Sequence, residues 1–449
     1  MSRAAEARTI LDRGRRDPVW WFENVLGVRY LTPQQVAVIE SVRDNRRTAV
    51  PAGHAVGKTW LAARLALWFL YNWRGSKVVT TAPTWTQVER LLWRELKSAH
   101  AEARYPLGGT PTKTTLDLDE DWFAIGLSTN EPTRFQGIHG ERVMVIFDEA
   151  TGVDPGIWDA AEGIAVGESD RFLAIGNPTD PTSRFKLATD SGLWNTIRLS
   201  SVDHPNVVED RLVIPGAVTR AWVDEHRTLY GGEDTALFRA RVAGLWPEQG
   251  DDMLISLAWV EAAQQRWRDE TAGAVVAVGC DVARFGSDET VILSIHDGGY
   301  VGLPQSFRGQ DTMGTAGRLN AMKAPKLGVD DAGLGGGVTD RLNELGVPVL
   351  PVNAGAGATD SRQFVNRRAE MYWMLRELLR AGDLALPDHA MMAADLTNTK
   401  YLFDSRGRIK IESKDDIRDR IGRSPDYGDA LAIACWAWRG HAPIEFDWS

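Results

Sequence analysis

Short apolar runs that end in polar or acidic residues alternate with longer amphipathic stretches through the first half of the chain. The runs at Thr48-Ala49-Val50, Lys77–Thr84, Arg142–Asp148 and Arg171–Ile175 are apolar without alternation. Strands covered on both faces of a parallel sheet read this way. Between them, Leu61–Trp73 and Thr86–His100 carry the helical period, and Thr115–Leu118 with Trp122–Ile125 predict a strand pair. Residues 18–45 predict two short helices around Leu31–Gln35, with Thr32 as N-cap and Pro33 at the first helical position. Polar, turn-rich text at Gly244–Asp252 marks a boundary. Beyond it, Val275–Asp281 and Glu289–Ile295 predict a hairpin that exposes Asp281 at its mouth, and Lys326–Asp330 predicts a further strand. Glycines 333 and 335–337 then lead into a helix over Val338–Leu345. A hairpin over Lys400–Glu412 turning at Arg406-Gly407 and a helix opening near Ser424 complete the pattern, and the class is α/β in both halves.

Length turns that pattern into a domain count: 449 residues suffice for about two or three domains of ordinary size. Hydrophobic residues at 43% and charged residues at 25% fit a globular chain, and the 18 tryptophans belong mostly to cores and interfaces. Cys280 and Cys435 sit in apolar runs without metal-ligand spacing, which predicts a reduced, cytoplasmic setting and no thiol chemistry. The first sixteen residues lack an apolar signal core, and the most apolar helix is short and interrupted by Arg64. No export and no membrane span are expected. A net charge of −10 excludes indiscriminate nucleic-acid binding but leaves room for local basic surfaces.

The chemistry begins at Val50–Trp60, where a strand signal, a glycine-bearing loop and a helix signal follow one another. Ala52, Gly53, His54, Ala55, Val56, Gly57, Lys58 and Thr59 form a candidate phosphate-binding loop, with Ala52 where such loops usually begin with glycine. Backbone N–H groups would face the phosphates of ATP, Lys58 would supply a point charge, and Thr59 would offer its hydroxyl to Mg²⁺. Asp148, at the end of an apolar run, is the second candidate Mg²⁺ ligand, and Glu149 is the candidate base for the attacking water. Asn177, at the tip of the next strand, is a candidate sensor that couples the γ-phosphate to movement. Gln35, and after it Gln34, is placed to read adenine, and Arg134 or Arg142 to stabilise charge on the departing phosphate.

The second half gathers carboxylates instead. Asp281, Asp330 and Asp426, assisted by Asp288 or Asp429, would hold two Mg²⁺ or Mn²⁺ ions for in-line attack on a phosphodiester. Asp426 and Asp429 are three positions apart and share a helix face, so either can be the third ligand. Arg406, Arg408, Lys410, Lys414, Arg418, Arg420 and Arg423 crowd the approach, either as a seat for a DNA backbone or as an ion-paired face. The glycines after Asp330 lack the dinucleotide-binding spacing.

In order, these motifs resemble the large terminase subunit of tailed bacteriophages, the ATP-driven motor that packages DNA and cuts it. The resemblance rests on Ala52–Thr59, Thr81–Thr84, Gln136–Gly140, Phe147–Ala150 and Gly176–Pro178, then on Asp281–Asp288, Asp330 with its glycines, Asn366–Glu370 and Ser424–Leu431. It implies a P-loop (additional-strand) ATPase domain over residues 1–245, a linker over 246–270 and a ribonuclease H-like nuclease domain over 271–449. It further implies double-stranded DNA, a portal and procapsid, a small terminase subunit and a homo-oligomeric ring as partners, in the cytoplasm of an infected bacterial host. A helicase–nuclease of repair or recombination is the alternative reading.

Overall fold

The computed structural model describes residues 3–127, 132–135, 137–247, 253–267, 273–283, 289–404 and 406–440. Asp288 and Gln136, with the rest of 284–287, lie outside the described residues. Two compact units emerge: Met1–His226 with Phe238–Pro247, and Arg227–Leu237 with Glu248–Ser449.

The first unit is built on a seven-stranded sheet. In chain order its strands are β1 (Arg47–Pro51), β2 (Lys77–Thr81), β3 (Thr115–Asp119), β4 (Trp122–Gly126), β5 (Val143–Asp148), β6 (Arg171–Gly176) and β7 (Asn195–Thr196). Their spatial order is β3-β4-β2-β5-β6-β1-β7, and every pairing except β3 with β4 is parallel. All residues of β2 and β5 are buried, which is why those runs show no alternation. Helix Lys58–Asn72 packs on one face with Leu61, Leu65 and Trp68 fully covered, and Trp158 stacks on Phe147 at 4.1 Å on the other. Side chains of this size each stabilise by about 1.5–3 kcal/mol when fully buried.

The lead-in helices Pro18–Asn24 and Pro33–Asp44 form as expected, and Thr32 and Gln35 close a reciprocal cap at the second. The helix expected over Thr86–His100 is interrupted by a π-turn, Val88–Leu92, between Trp85–Gln87 and Trp93–Ala101. Such bulges insert one residue and turn the following side chains.

In the second unit, β8 (Val275–Asp281), β9 (Thr290–His296), β10 (Tyr300–Val301), β11 (Gln305–Phe307), β12 (Leu327–Asp330) and β13 (Leu350–Val352) form a mixed sheet. Its order is β10-β9-β8-β12-β13, with β11 also on β9. The β8–β9 and β9–β10 pairs are antiparallel, whereas β8, β12 and β13 run parallel. Helix Asp426–Arg439 is buried from Asp426 through Ala437. It lies so close to β8 that a Cβ at Gly279 would stand 2.3 Å from the Ala430 carbonyl oxygen and the Ala434 nitrogen. The short strands β14 (Tyr401–Phe403) and β15 (Ile409–Ile411) form the expected hairpin. The helix expected at Val338 starts earlier, at Gly335, so the glycines are its first turn rather than its approach.

Candidate functional site

In the first unit, β6 lies between β1 and β5, so the tips of three adjacent parallel strands end together. Ligand sites of open α/β sheets form at such carboxyl ends. The loop from β1 supplies Gly53, where a Cβ would stand 2.4 Å from the Val242 carbonyl oxygen and 2.5 Å from Ser201 Oγ, so only glycine fits. Gly57 is left-handed and leads directly into helix Lys58–Asn72. Ala52 is buried, and its carbonyl accepts a 2.6 Å hydrogen bond from Asn177 Nδ2. Lys58 Nζ donates to Asn177 Oδ1 at 2.8 Å and to the Gly53 carbonyl at 3.3 Å, and lies 3.6 Å from Glu149 Oε1. Thr59 Oγ1 donates to Asp148 Oδ2 at 3.0 Å. Five sequence candidates thus meet in one place.

Glu149 holds a left-handed backbone, φ 49° and ψ 49°. A non-glycine residue there stores about 1–3 kcal/mol of strain, which the packed surroundings must offset. Burial lifts the Asp148 carboxyl to about 7; the Glu149 charge adds to the lift, and Lys58 and the Thr59 hydroxyl oppose it. The donor set Thr59–Asp148, one hydroxyl and a carboxylate strained by a second negative charge, suits a hard divalent cation. His54 lies in the loop with its pKa lowered to about 3 by burial and by the charges of Lys58 and Arg241, so it is neutral.

These residues line a cleft of about 510 Å³ together with Arg94, Trp60 and Trp222. Arg94 follows the π-turn and was missed in the sequence, where nothing distinguishes it from other helical arginines. Arg142 sits at the opposite end of β5, its guanidinium 5.3 Å from the centroid of the Trp73 ring, about five strand residues or roughly 17 Å from Asp148. Arg134, exposed in a short 3-10 turn, is not among the cleft residues. Gln35 lines a second cavity beside the same loop, but both ends of its amide are engaged: Oε1 accepts from Thr32 N at 3.0 Å and Nε2 donates to the Val56 carbonyl at 3.1 Å. Gln34 Oε1 accepts from Ser200 N.

In the second unit, the β8–β12 register pairs Val329 with Cys280, so Asp281 and Asp330 end adjacent parallel strands. The expectation that Asp281 is exposed fails: it is 3% exposed, because helix Asp426–Arg439 closes over β8. That helix brings Asp426, whose Oδ2 accepts from Glu289 N at 3.2 Å, and Asp429. Asp429 is fully engaged, accepting from Tyr372 Oη at 2.8 Å and Arg368 Nη2 at 3.3 Å and pairing with Lys414 Nζ at 2.8 Å. Lys414 Nζ also donates to both Asp281 oxygens, at 3.1 and 3.4 Å.

Burial raises Asp281, Asp330 and Asp426 above the usual carboxylate range, and for each the neighbouring Asp429 charge adds to it. Burial would raise Asp429 as well, but Lys414 and Arg368 outweigh it and the net shift is downward. Crowded carboxylates with a single ammonium among them are a donor set that fits divalent cations. Among the described residues, however, no three acidic, histidine or cysteine side chains already converge on one ion position, and Lys414 stands between Asp281 and Asp429.

The basic cluster is largely ion-paired. Arg408 pairs with Asp404, Arg420 with Glu412 and Arg423 with the fully buried Asp395. Asp395 also accepts from Tyr427 N and Gly428 N, and so anchors the start of the helix that carries Asp426; the sequence offered no signal for it. Arg406 and Lys410 remain exposed.

A parallel sheet with a phosphate loop on β1, an acidic pair on β5 and a strand inserted between them defines a P-loop fold of the additional-strand class. A mixed sheet with carboxylates at the ends of its parallel strands, closed by a carboxylate-bearing helix, defines a ribonuclease H-like fold. The chain is similar over nearly its whole length to a large terminase subunit: it is 25% identical to the probable terminase, large subunit, of Enterobacteria phage P7 over 90% of this chain and 88% of that protein. No family model matches. Solved structures with similarity include the large terminase of thermophilic bacteriophage D6E, at 13% identity and a TM-score of 0.43 over 90% of this chain and 99% of that one. The nuclease domain of large terminase subunit gp2 of bacterial virus Sf6 matches at 20% identity and a TM-score of 0.35 over 42% of this chain and 99% of that domain.

Proposed function

We propose that this chain is the large terminase subunit of a tailed bacteriophage, hydrolysing ATP to move double-stranded DNA into a procapsid and cutting that DNA at a second site. The observation that carries the reading is the meeting of Lys58, Thr59, Asp148, Glu149 and Asn177 at three adjacent strand tips, in a chain whose second unit gathers a separate carboxylate cluster. The whole-length similarity to the phage P7 protein supports the biological assignment. The motor domain is residues 1–245 and the nuclease domain residues 271–449, joined through 246–270.

In the first site the loop amides of Ala52–Gly57 receive the phosphates of ATP and Lys58 neutralises them. Thr59 and Asp148 would hold Mg²⁺, which when bound neutralises charge on the β- and γ-oxygens. Glu149 orients a water for in-line attack and takes its proton. Asn177 holds Lys58 and the Ala52 carbonyl together, so a change at the γ-phosphate reaches β6 through it. Arg94 is the arginine of the cleft and takes the charge-stabilising role in place of Arg142.

In the second site Asp281, Asp330 and Asp426 would hold Mg²⁺ or Mn²⁺, a pair of which supplies an activated water and stabilises the departing oxygen. Asp429 positions Lys414 and Tyr372 rather than acting as a ligand, and Asp288 remains a candidate ligand. The partners are DNA, the portal of the procapsid, a small terminase subunit and further copies in a ring, met in the host cytoplasm.

The test is Mn²⁺-dependent cleavage of plasmid DNA by wild type, Asp330→Asn and Lys58→Ala, with ATP hydrolysis measured in parallel. Asp330→Asn is expected to lose cutting and keep hydrolysis, and Lys58→Ala the reverse. Undiminished cutting by Asp330→Asn would overturn the nuclease site.

A further inference from the structure

The second cavity beside the phosphate loop, about 270 Å³, is walled by Tyr30, Trp60, Ile214 and Pro215 and shares Ala55, Gly57 and Trp60 with the nucleotide cleft. It falls below the roughly 300–1,000 Å³ of pockets for whole drug-sized ligands, and so suits one ring system. Its walls are flat and apolar: the Tyr30 ring is 54% exposed, and one face of Trp60 is covered by the Arg64 guanidinium at 4.0 Å. Gln35 offers it no free amide end.

His204 does offer a free group. It is 2% exposed yet lines the cavity, and its Nδ1 accepts a hydrogen bond from Asn206 N at 3.2 Å. Burial lowers its pKa, so the ring is neutral. A neutral imidazole whose Nδ1 accepts must carry its proton on Nε2. That Nε2–H makes no hydrogen bond among the described residues. A buried donor without a partner costs free energy unless a ligand satisfies it.

We propose that this cavity is the purine subsite of the nucleotide site and that His204, not Gln35, reads the base, donating from Nε2 to a ring nitrogen. Tyr30 and Trp60 supply the apolar walls, and the shared Ala55–Gly57 backbone connects base to phosphates. The proposal rests on the nucleotide reading given above.

The test measures binding of ADP, of 1-deaza-, 3-deaza- and 7-deaza-ADP and of tripolyphosphate, in Mg²⁺, to the full chain and to His204→Ala and His204→Gln. Wild type is expected to bind one deaza analogue about three- to tenfold more weakly than ADP, the worth of one neutral hydrogen bond. His204→Ala should lose that factor for ADP, treat ADP and the same analogue alike and bind tripolyphosphate as wild type does. His204→Gln should regain part of the loss. Equal binding of ADP and all three analogues by wild type overturns the role of His204 whether or not the variants fold. Parallel loss of ADP and tripolyphosphate in His204→Ala makes it a structural residue and overturns the proposal too. Wild type binding tripolyphosphate as well as ADP removes the base subsite but leaves the phosphate loop standing. Binding of neither removes the nucleotide reading itself.

Discussion

Glu149 shows what one residue contributes at the first site. Its carboxylate stands 3.6 Å from Lys58 Nζ on a left-handed backbone that the sequence gives no hint of. A general base contributes about 10²–10⁴ in rate. Glu149→Gln, which keeps shape and removes basicity, should therefore cut ATP turnover by about 10²–10⁴ while ADP affinity stays within about twofold, measured by steady-state hydrolysis and equilibrium binding. A parallel loss of binding would mark Glu149 as a structural partner of Lys58 instead. Motif identity made Lys58, Thr59, Asp148 and Glu149 legible, because a phosphate loop and an acidic strand end each have a fixed local chemistry. Lys414 was legible only as one basic residue among seven, since its pairing with Asp281 and Asp429 spans 133 and 15 positions of chain.

Among the elements, helix Asp426–Arg439 does most to build the second site. It meets β8 where Gly279 leaves no room for a side chain, and this approach brings Asp426 and Asp429 beside Asp281. Gly279→Val would push helix backbone away from strand backbone, a clash no rotamer relieves. We expect a loss of about 1–3 kcal/mol from overpacking. Plasmid cutting should fall by far more than ATP hydrolysis, because the two sites lie on different sheets; equal losses would place the effect on folding of the whole chain. The strands of both sheets were legible from apolar runs and their ends. The π-turn at Val88–Leu92 was not, because its helical period runs through the extra residue almost unchanged.

Across the whole molecule, buried histidines set how stability responds to acid. Burial lowers His54, to about 3, as well as His204 and His389, with Lys58 adding to the shift at His54 and Arg423 at His389. In the unfolded chain each takes up a proton near pH 6.5, while the folded chain keeps it neutral. The unfolded state binds more protons below that pH, so the stability present above about pH 6.5 is lost as pH falls toward 3. Each histidine contributes a slope of about 1.4 kcal/mol per pH unit in that window. His54→Gln should flatten the fall of the first unit's melting temperature between pH 6.5 and 4.5, read by calorimetry. An unchanged slope would show that His54 is charged in the folded chain.

The order of motifs in the sequence determined the α/β class, the strands and caps, the phosphate loop and the identity of the acidic residues, because each depends on neighbours within a turn or a strand. Tertiary structure alone decided that β6 separates β1 from β5 and so delivers Asn177 to Lys58. It also moved Arg142 to the far end of its strand, buried Asp281, occupied Asp429 with Lys414, Arg368 and Tyr372, and left His204 facing a cavity. The physical reason is the same in each case: strand order, burial and charge pairing are fixed by contacts between segments far apart in the chain, which no local pattern encodes.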